Sequence, residues 1–176
     1  MIRFPYGISN FHAIRTEGYL YLDRTQHITG LEEAGKQLVF LRPRRFGKSL
    51  LLSMLANYYD VKMAGQFATL FGDLAVGQNP TAERNQYLVL RWDFSKVSAQ
   101  GSIEDIKSSL FKHLNETFKA FNHDYADFLQ SRVDIDVDAL ASFQSLCNSV
   151  GSSGQQLYLL IDEYDNFANE VLVRDP

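Results

Sequence analysis

The stretch Val39-Phe40-Leu41-Arg42-Pro43-Arg44-Arg45-Phe46-Gly47-Lys48-Ser49-Leu50-Leu51 decides how this chain is read. An apolar run enters it, a basic loop follows, and a second apolar run leaves it, in the order strand, loop, helix. A Gly-Lys-Ser triplet at such a junction has the context of a phosphate-binding (Walker A) loop. The first amides of a helix lack intrahelical acceptors and sit at the positive end of its dipole, so they form an anion site. There Lys48 reaches terminal phosphates, Ser49 Oγ ligates Mg²⁺, and Gly47 lets the backbone come close. The general pattern G-x-x-x-x-G-K-[ST] places glycine where this chain has Arg42, and Pro43 then fixes φ, so the loop enters differently. The contacting residues are expected to be Arg44, Arg45, Phe46, Gly47, Lys48, Ser49 and Leu50. Arg44 and Arg45 either add positive charge beside the phosphates or form a solvated face. In isolation the triplet also suits a turn glycine followed by a solvated lysine; the flanking apolar runs favour the phosphate loop.

Three short apolar segments read as buried strands: residues 37–41 (QLVFL), 87–94 (YLVLRWDF) and 157–162 (LYLLID). Their continuous apolarity is what a parallel strand covered on both faces requires. Helical patterns lie between them. Residues 49–59 carry SLLLSMLANYY, and Ile103, Ile106, Leu110, Leu114, Phe118 and Phe121 form one stripe at three- and four-residue steps. A further helix is expected over 138–150, with Leu140, Phe143 and Leu146/Cys147 on one face and the Gly/Ser loop 151–154 after it. Residues 18–23 (GYLYLD) suggest a short extra strand, and Thr25 a cap for a helix running towards Gly35. Strands alternating with helices imply an α/β sandwich with a mainly parallel sheet.

The segment Leu157-Tyr-Leu-Leu-Ile-Asp162-Glu163 is an apolar strand ending in two carboxylates, the layout of a Walker B motif. Ligands of a parallel α/β sheet sit at the carboxyl ends of its strands. Asp162 there holds Mg²⁺ and Glu163 polarises the attacking water as general base. The alternative is that these acids end a strand and start a helix, where they suit the first turn. Asp165 is either a supporting residue or a cap, and Asp93 is expected chiefly to shape a turn before Ser95. The aromatics between Phe11 and Tyr21 could stack on an adenine, although core packing is the more ordinary use of such residues.

Composition limits the other possibilities. With 176 residues, a single domain is the default, and 45% hydrophobic against 22% charged residues supplies a core, which excludes a disordered chain. A net charge of −4 disfavours sequence-independent binding to nucleic acid except through a local patch such as Arg42, Arg44 and Arg45. Cys147 is the only cysteine, so neither an intrachain disulfide nor a thiol metal cluster can form, and a reducing cytoplasm is expected. No apolar run is long enough to span a bilayer, so no membrane association is expected.

Taken together, Tyr6-Gly7-Ile8, Tyr21-Leu22-Asp23-Arg24-Thr25, the loop Leu41 to Leu50, Asp93-Phe94-Ser95 and Leu160-Ile-Asp-Glu-Tyr-Asp165 resemble the bacterial AAA-ATPase-like family. The arginine at position 42 is similar to that family's own variant loop. The resemblance implies a P-loop NTPase three-layer sandwich that binds ATP and Mg²⁺. It implies Lys48 and Ser49 as phosphate and magnesium contacts, Asp162 as the second magnesium contact and Glu163 as catalytic base. Typical members are longer, continuing into further sheet strands, a helical region and often a restriction-endonuclease-like nuclease domain. Residues 1–176 are thus expected to be the N-terminal part of the ATPase domain, lacking the strands after Walker B and leaving a slot in the sheet. Nucleic acid would be met only through an absent nuclease domain. Partners would be nucleotide and either missing C-terminal domains or a second copy pairing at the open sheet. Without a downstream sensor or arginine finger, which can be worth roughly 10³ to 10⁵ in rate, such a fragment would bind Mg·ATP weakly and hydrolyse it slowly. The competing reading is a nucleotide-binding or interaction remnant without catalysis. A small-metabolite kinase would need a substrate lid, and none is evident.

Overall fold

The computed structural model describes residues 2–41, 43, 45–165 and 167–168. Among them are seven α-helices and a two-stranded parallel sheet, so the chain is α/β. It divides into two compact units, Met1–Gln86 and Tyr87–Pro176.

The first unit is helical. Helix α1 (Phe11–Thr16) starts where the Asn10 side chain accepts the Ala13 amide at 3.1 Å. Helices α2 (Ile28–Ala34), α3 (Lys48–Tyr59), α4 (Phe67–Phe71) and α5 (Ala75–Gln78) follow. The core is largely aromatic: Phe11, Tyr58 and Phe71 are fully buried, with ring centroids 4.9 Å apart for Phe11–Phe71 and 5.5 Å for Tyr58–Phe71. The Phe11 amide donates to Ser53 Oγ at 2.9 Å and ties α1 to the middle of α3. The aromatics of α1 thus belong to the core, and Phe11 offers no ring to a nucleotide.

Two expected strands are absent from this unit. Residues 37–41 adopt no strand, and Leu38, Val39, Phe40 and Leu41 remain 47, 72, 40 and 80% exposed. An apolar run records a preference for burial, but a strand exists only when a neighbour completes its ladder. Residues 18–23 make one isolated parallel bridge, Arg3 to Tyr19, and then turn away.

Asp23 causes that turn. Its carboxylate accepts the Thr25 amide (2.8 Å), the Thr25 hydroxyl (2.7 Å) and the Ala75 amide (2.7 Å), while buried Thr25 Oγ accepts the Val76 amide at 3.1 Å. Thr25 does not cap the helix expected to run towards Gly35: the first turn over Thr25–His27 is 3-10, and neither it nor α2 has a side-chain cap at its start. Burial alone would raise the Asp23 carboxyl, but the Ala75 and Thr25 amides, the Thr25 hydroxyl and Arg15 together hold it below its ordinary value. A depressed folded value stabilises the chain above the ordinary carboxylate pKa of about 4, and this is lost as pH falls through the folded value. We expect Asp23→Ala to cost about 1–2 kcal/mol at neutral pH, the exposed setting weakening each bond, and to flatten the acid limb of a pH series of urea unfolding curves.

The second unit contains the sheet. Strands β1 (Tyr87–Asp93) and β2 (Gln156–Asp162) pair in parallel from Tyr87 opposite Gln156 to Asp93 opposite Asp162. A parallel pair needs a long crossover. Helices α6 (Ile103–Asp124) and α7 (Ala139–Ser152) supply it. Ser102 and Asp105 form a capping box at the start of α6, and Asp138 accepts the Leu140 amide at 2.9 Å ahead of α7. Leu88, Val89 and Leu90 are buried in succession, as a strand covered on both faces requires, whereas in β2 only Leu160 is buried. Tyr125 closes the outer edge of β1: its hydroxyl accepts the Val89 amide at 3.0 Å and donates to the Val89 carbonyl at 3.4 Å. Phe118, Phe143 and Trp92 pack between sheet and helices. The expected apolar faces fail only at their first positions, since Ile103 and Leu140 are 79 and 69% exposed.

Candidate functional site

The Gly-Lys-Ser triplet lies at a helix start, as its spacing implies. Helix α3 begins at Lys48, one residue earlier than expected, and Gly47 is its N-cap with φ +78°. Among the described residues, nothing beyond its chain neighbours lies within 4 Å of where a Cβ at Gly47 would stand, so glycine is favoured by the left-handed backbone and not by crowding. The first helical bond runs from the Leu51 amide to the Gly47 carbonyl at 2.9 Å, and the amides before it belong to the turn that lacks intrahelical acceptors in any α-helix. Gly47 has no side chain to cap them, and the first turn carries no acid that would repel an anion. Two residues earlier Arg45 is also left-handed, at φ +67°. Left-handed residues alternating with right-handed ones turn successive amides towards one concavity, the nest geometry of many anion sites. Arg45, Phe46 and Gly47 are exposed, and Lys48, Ser49 and Leu50 half-buried. Arg42 and Arg44 lie outside the described residues.

The helix behind this loop is held firmly. Ser53, Met54, Leu55, Tyr58 and Tyr59 of α3 are buried, and the Tyr59 hydroxyl donates to Glu32 Oε1 at 3.0 Å. Glu32 Oε1 also accepts the Thr81 hydroxyl at 2.8 Å, so α2, α3 and the segment after α5 are pinned together.

The acidic strand end stands in the second unit. Asp162 closes β2 beside Asp93, its register partner at the end of β1. Asp93 Oδ1 accepts the Ser95 amide (3.1 Å) and hydroxyl (2.6 Å), and Oδ2 lies 3.8 Å from Lys96 Nζ, so this carboxylate shapes its own turn, as its sequence suggests. Asp162 Oδ1 accepts the amide of the next residue, Glu163, at 3.1 Å. Glu163 has φ +56° and is followed by helical residues, Tyr164 and Asp165. A left-handed conformation is uncommon for a residue with a side chain and tends to persist where function needs it. Of the three described non-glycine residues with positive φ, Arg45 and Glu163 fall in the two segments singled out by motif, and the third is Asn85.

Among the described residues no cluster of three or more His, Cys, Asp or Glu side chains could cage a metal ion. No helix among the described residues is long and apolar enough to cross a membrane.

The profile of a family described as "Predicted AAA-ATPase" matches residues 5–176. The chain belongs to the AAA-ATPase-like family. It is also 43% identical over 58 residues to an "Uncharacterized protein in vnfD 5'region" of Azotobacter chroococcum mcd 1, a match covering 32% of this chain and 11% of that protein. The chain thus spans about a tenth of the length of the curated relative it matches. No solved structure matches it.

Two features of this AAA-ATPase-like chain escaped its linear reading. The Tyr21-to-Thr25 motif is a structural staple onto α5, and the spacing Asp-x-Thr, which favours local side-chain-to-backbone bonds, was its available signal. His113 of α6 lies within electrostatic reach of Lys96 and Asp93: burial first, then Lys96, hold its pKa below the ordinary value, Asp93 opposing. Its buried Nε2 has no hydrogen-bond partner among the described residues. It stands three residues after Leu110, at the edge of the apolar stripe of α6.

Proposed function

We propose that this chain carries the nucleotide-binding part of a AAA-like P-loop ATPase, a three-layer sandwich whose sheet extends beyond β1 and β2. The backbone from Arg45 to Leu50 cradles the phosphates of ATP, with Arg44, Arg45 and Lys48 supplying positive charge. Ser49 and Asp162 are the protein's magnesium contacts, and Glu163 takes the proton of the attacking water. Bound Mg·ATP supplies the transferable phosphoryl group and the cation that spreads its charge. Turnover drives further domains of the longer protein, a nuclease among the candidates, and a second copy is the alternative partner. The setting is cytoplasmic.

The observation that carries this reading is the left-handed pair Arg45 and Gly47 leading into a helix with no side-chain cap and no first-turn acid. Its test is calorimetric binding of Mg·ATP to the wild type and to Lys48→Ala. A charge-assisted bond to phosphate is worth about 1.5–3 kcal/mol, so affinity should fall by roughly 10- to 150-fold. Equal affinity for the two proteins would place the phosphates elsewhere.

A second reading, a nucleotide-binding or interaction module without catalysis, draws on the exposed run Leu38 to Leu41, apolar surface suited to a partner. The two readings part on Glu163, which only the first requires.

A further inference from the structure

The connection from α6 to α7 is bonded to both helices along most of its length. Ser142, Ser145 and Ser149 of α7, and Ser153 at its C-cap, are spaced by three and four residues and so share one face. Each meets the main chain of the connector. The Asp136 amide donates to Ser142 Oγ (2.9 Å), the Asp134 amide to Ser145 Oγ (2.9 Å) and the Gln130 amide to Ser153 Oγ (3.0 Å), while Ser149 Oγ donates to the Ser131 carbonyl. The order is antiparallel, the connector rising as the helix numbering falls. From α6, Asn122 Oδ1 accepts the Val133 amide at 3.0 Å, and Asn115 Nδ2 donates to the Asp136 carbonyl at 2.7 Å.

This attachment is polar and shallow. Val133 is the one buried apolar side chain of the segment, whereas Ile135 and Val137 are 37 and 91% exposed. The serines also have a second acceptor: Ser142 Oγ lies 3.3 Å from the Asp138 carbonyl and Ser153 Oγ 2.7 Å from the Ser149 carbonyl, each four residues back in the chain. If residues 130–137 left, Ser142 and Ser153 would keep these bonds, to the N-cap of α7 and to its last turn, while the other hydroxyls and the segment's amides would pass to water. The segment lies at the surface apart from Val133, so its released amides reach water directly, which lowers the cost of a local opening.

We propose that residues 130–137 are a releasable strap that peels from α6 and α7 as a unit while Asp138 stays as the N-cap of α7 and the rest of the second unit stays folded. Gln130, Ser131 and Arg132 line an open cleft of about 470 Å³ together with Asn122, His123, Ala126 and Leu129, so peeling would widen that cleft. α7 also leads through the turn after Ser152 into β2, and the strap sets how firmly the helix preceding Asp162 is clasped to α6.

Native-state hydrogen exchange with residue resolution, joined to limited trypsin digestion, tests this. The amides of Val133, Asp134 and Asp136 should exchange with one common opening constant, at least tenfold larger than that of the α6 amides from Leu114 to Phe121. Trypsin should cut the folded protein after Arg132. Each ordinary hydrogen bond is worth roughly fivefold in an equilibrium constant. Ser145→Ala should therefore speed strap exchange and cleavage at Arg132 roughly fivefold, and Ser142→Ala with Ser145→Ala roughly 25-fold, with the α6 amides unmoved. Strap amides that exchange only with the α6 amides, or variants that leave strap and cleavage unchanged, would overturn the proposal. Should the double variant not fold, the wild-type comparison and the single variant decide.

Discussion

Replacing Glu163 by glutamine should leave Mg·ATP binding in place and slow its hydrolysis by roughly 10²- to 10⁴-fold, the usual contribution of a positioned general base. The substitution keeps side-chain length and hydrogen-bonding reach but removes the ability to take a proton. It does not touch the local fold: the Glu163 amide, which donates to Asp162 Oδ1 at 3.1 Å, is main chain, and glutamine bears the same cost at φ +56° as glutamate. A loss of turnover with binding retained is thus a chemical effect. Single-turnover hydrolysis of radiolabelled ATP, with affinity measured alongside, provides the readout. Turnover equal to that of the wild type would remove Glu163 as the base and favour the module without catalysis.

Phe118→Ala should destabilise the second unit by roughly 3–5 kcal/mol, the usual result of truncating a buried phenylalanine. Phe118 is fully buried, and its ring lies 5.9 Å from Phe143 and 6.3 Å from Trp92, a cluster rigid enough to leave a cavity. Ile103→Ala, in the same apolar stripe of α6, should change stability by less than about 0.5 kcal/mol, because Ile103 is 79% exposed. Denaturant unfolding of both variants makes the comparison. Equal losses would mean that the start of α6 is covered by something in solution.

That contrast shows how far the sequence could be read. The helical period placed α6 over Ile103–Asp124 to within three residues of its expected end, because a 3.6-residue repeat is a local property of the chain. It could not say that the stripe's first residue faces water, since that depends on where the opposing sheet stops. Likewise the alternation of apolar strands and helices gave β1 and β2 and their parallel sense, but the equally apolar run 37–41 formed no strand. Apolarity is a property of the segment, whereas a ladder is a property of two. The site divides in the same way. Gly47 as the residue before α3, and Asp162 with Glu163 at a strand's carboxyl end, were legible as motifs. The left-handed backbone at Arg45 and Glu163 was not, because no preference of arginine or glutamate announces it.

By itself the sequence determined the α/β alternation, the helix start at the Gly-Lys-Ser triplet and membership of a family, all fixed by residues near one another in the chain. Only the tertiary structure decided that Asp23 and Thr25 fasten α5, that Tyr125 seals the edge of β1, and that three serines of α7, with Ser153 just after it, hold the connector before it. These are hydrogen bonds between groups distant in sequence or set on different elements, and their partners are chosen by packing, to which no local pattern gives access.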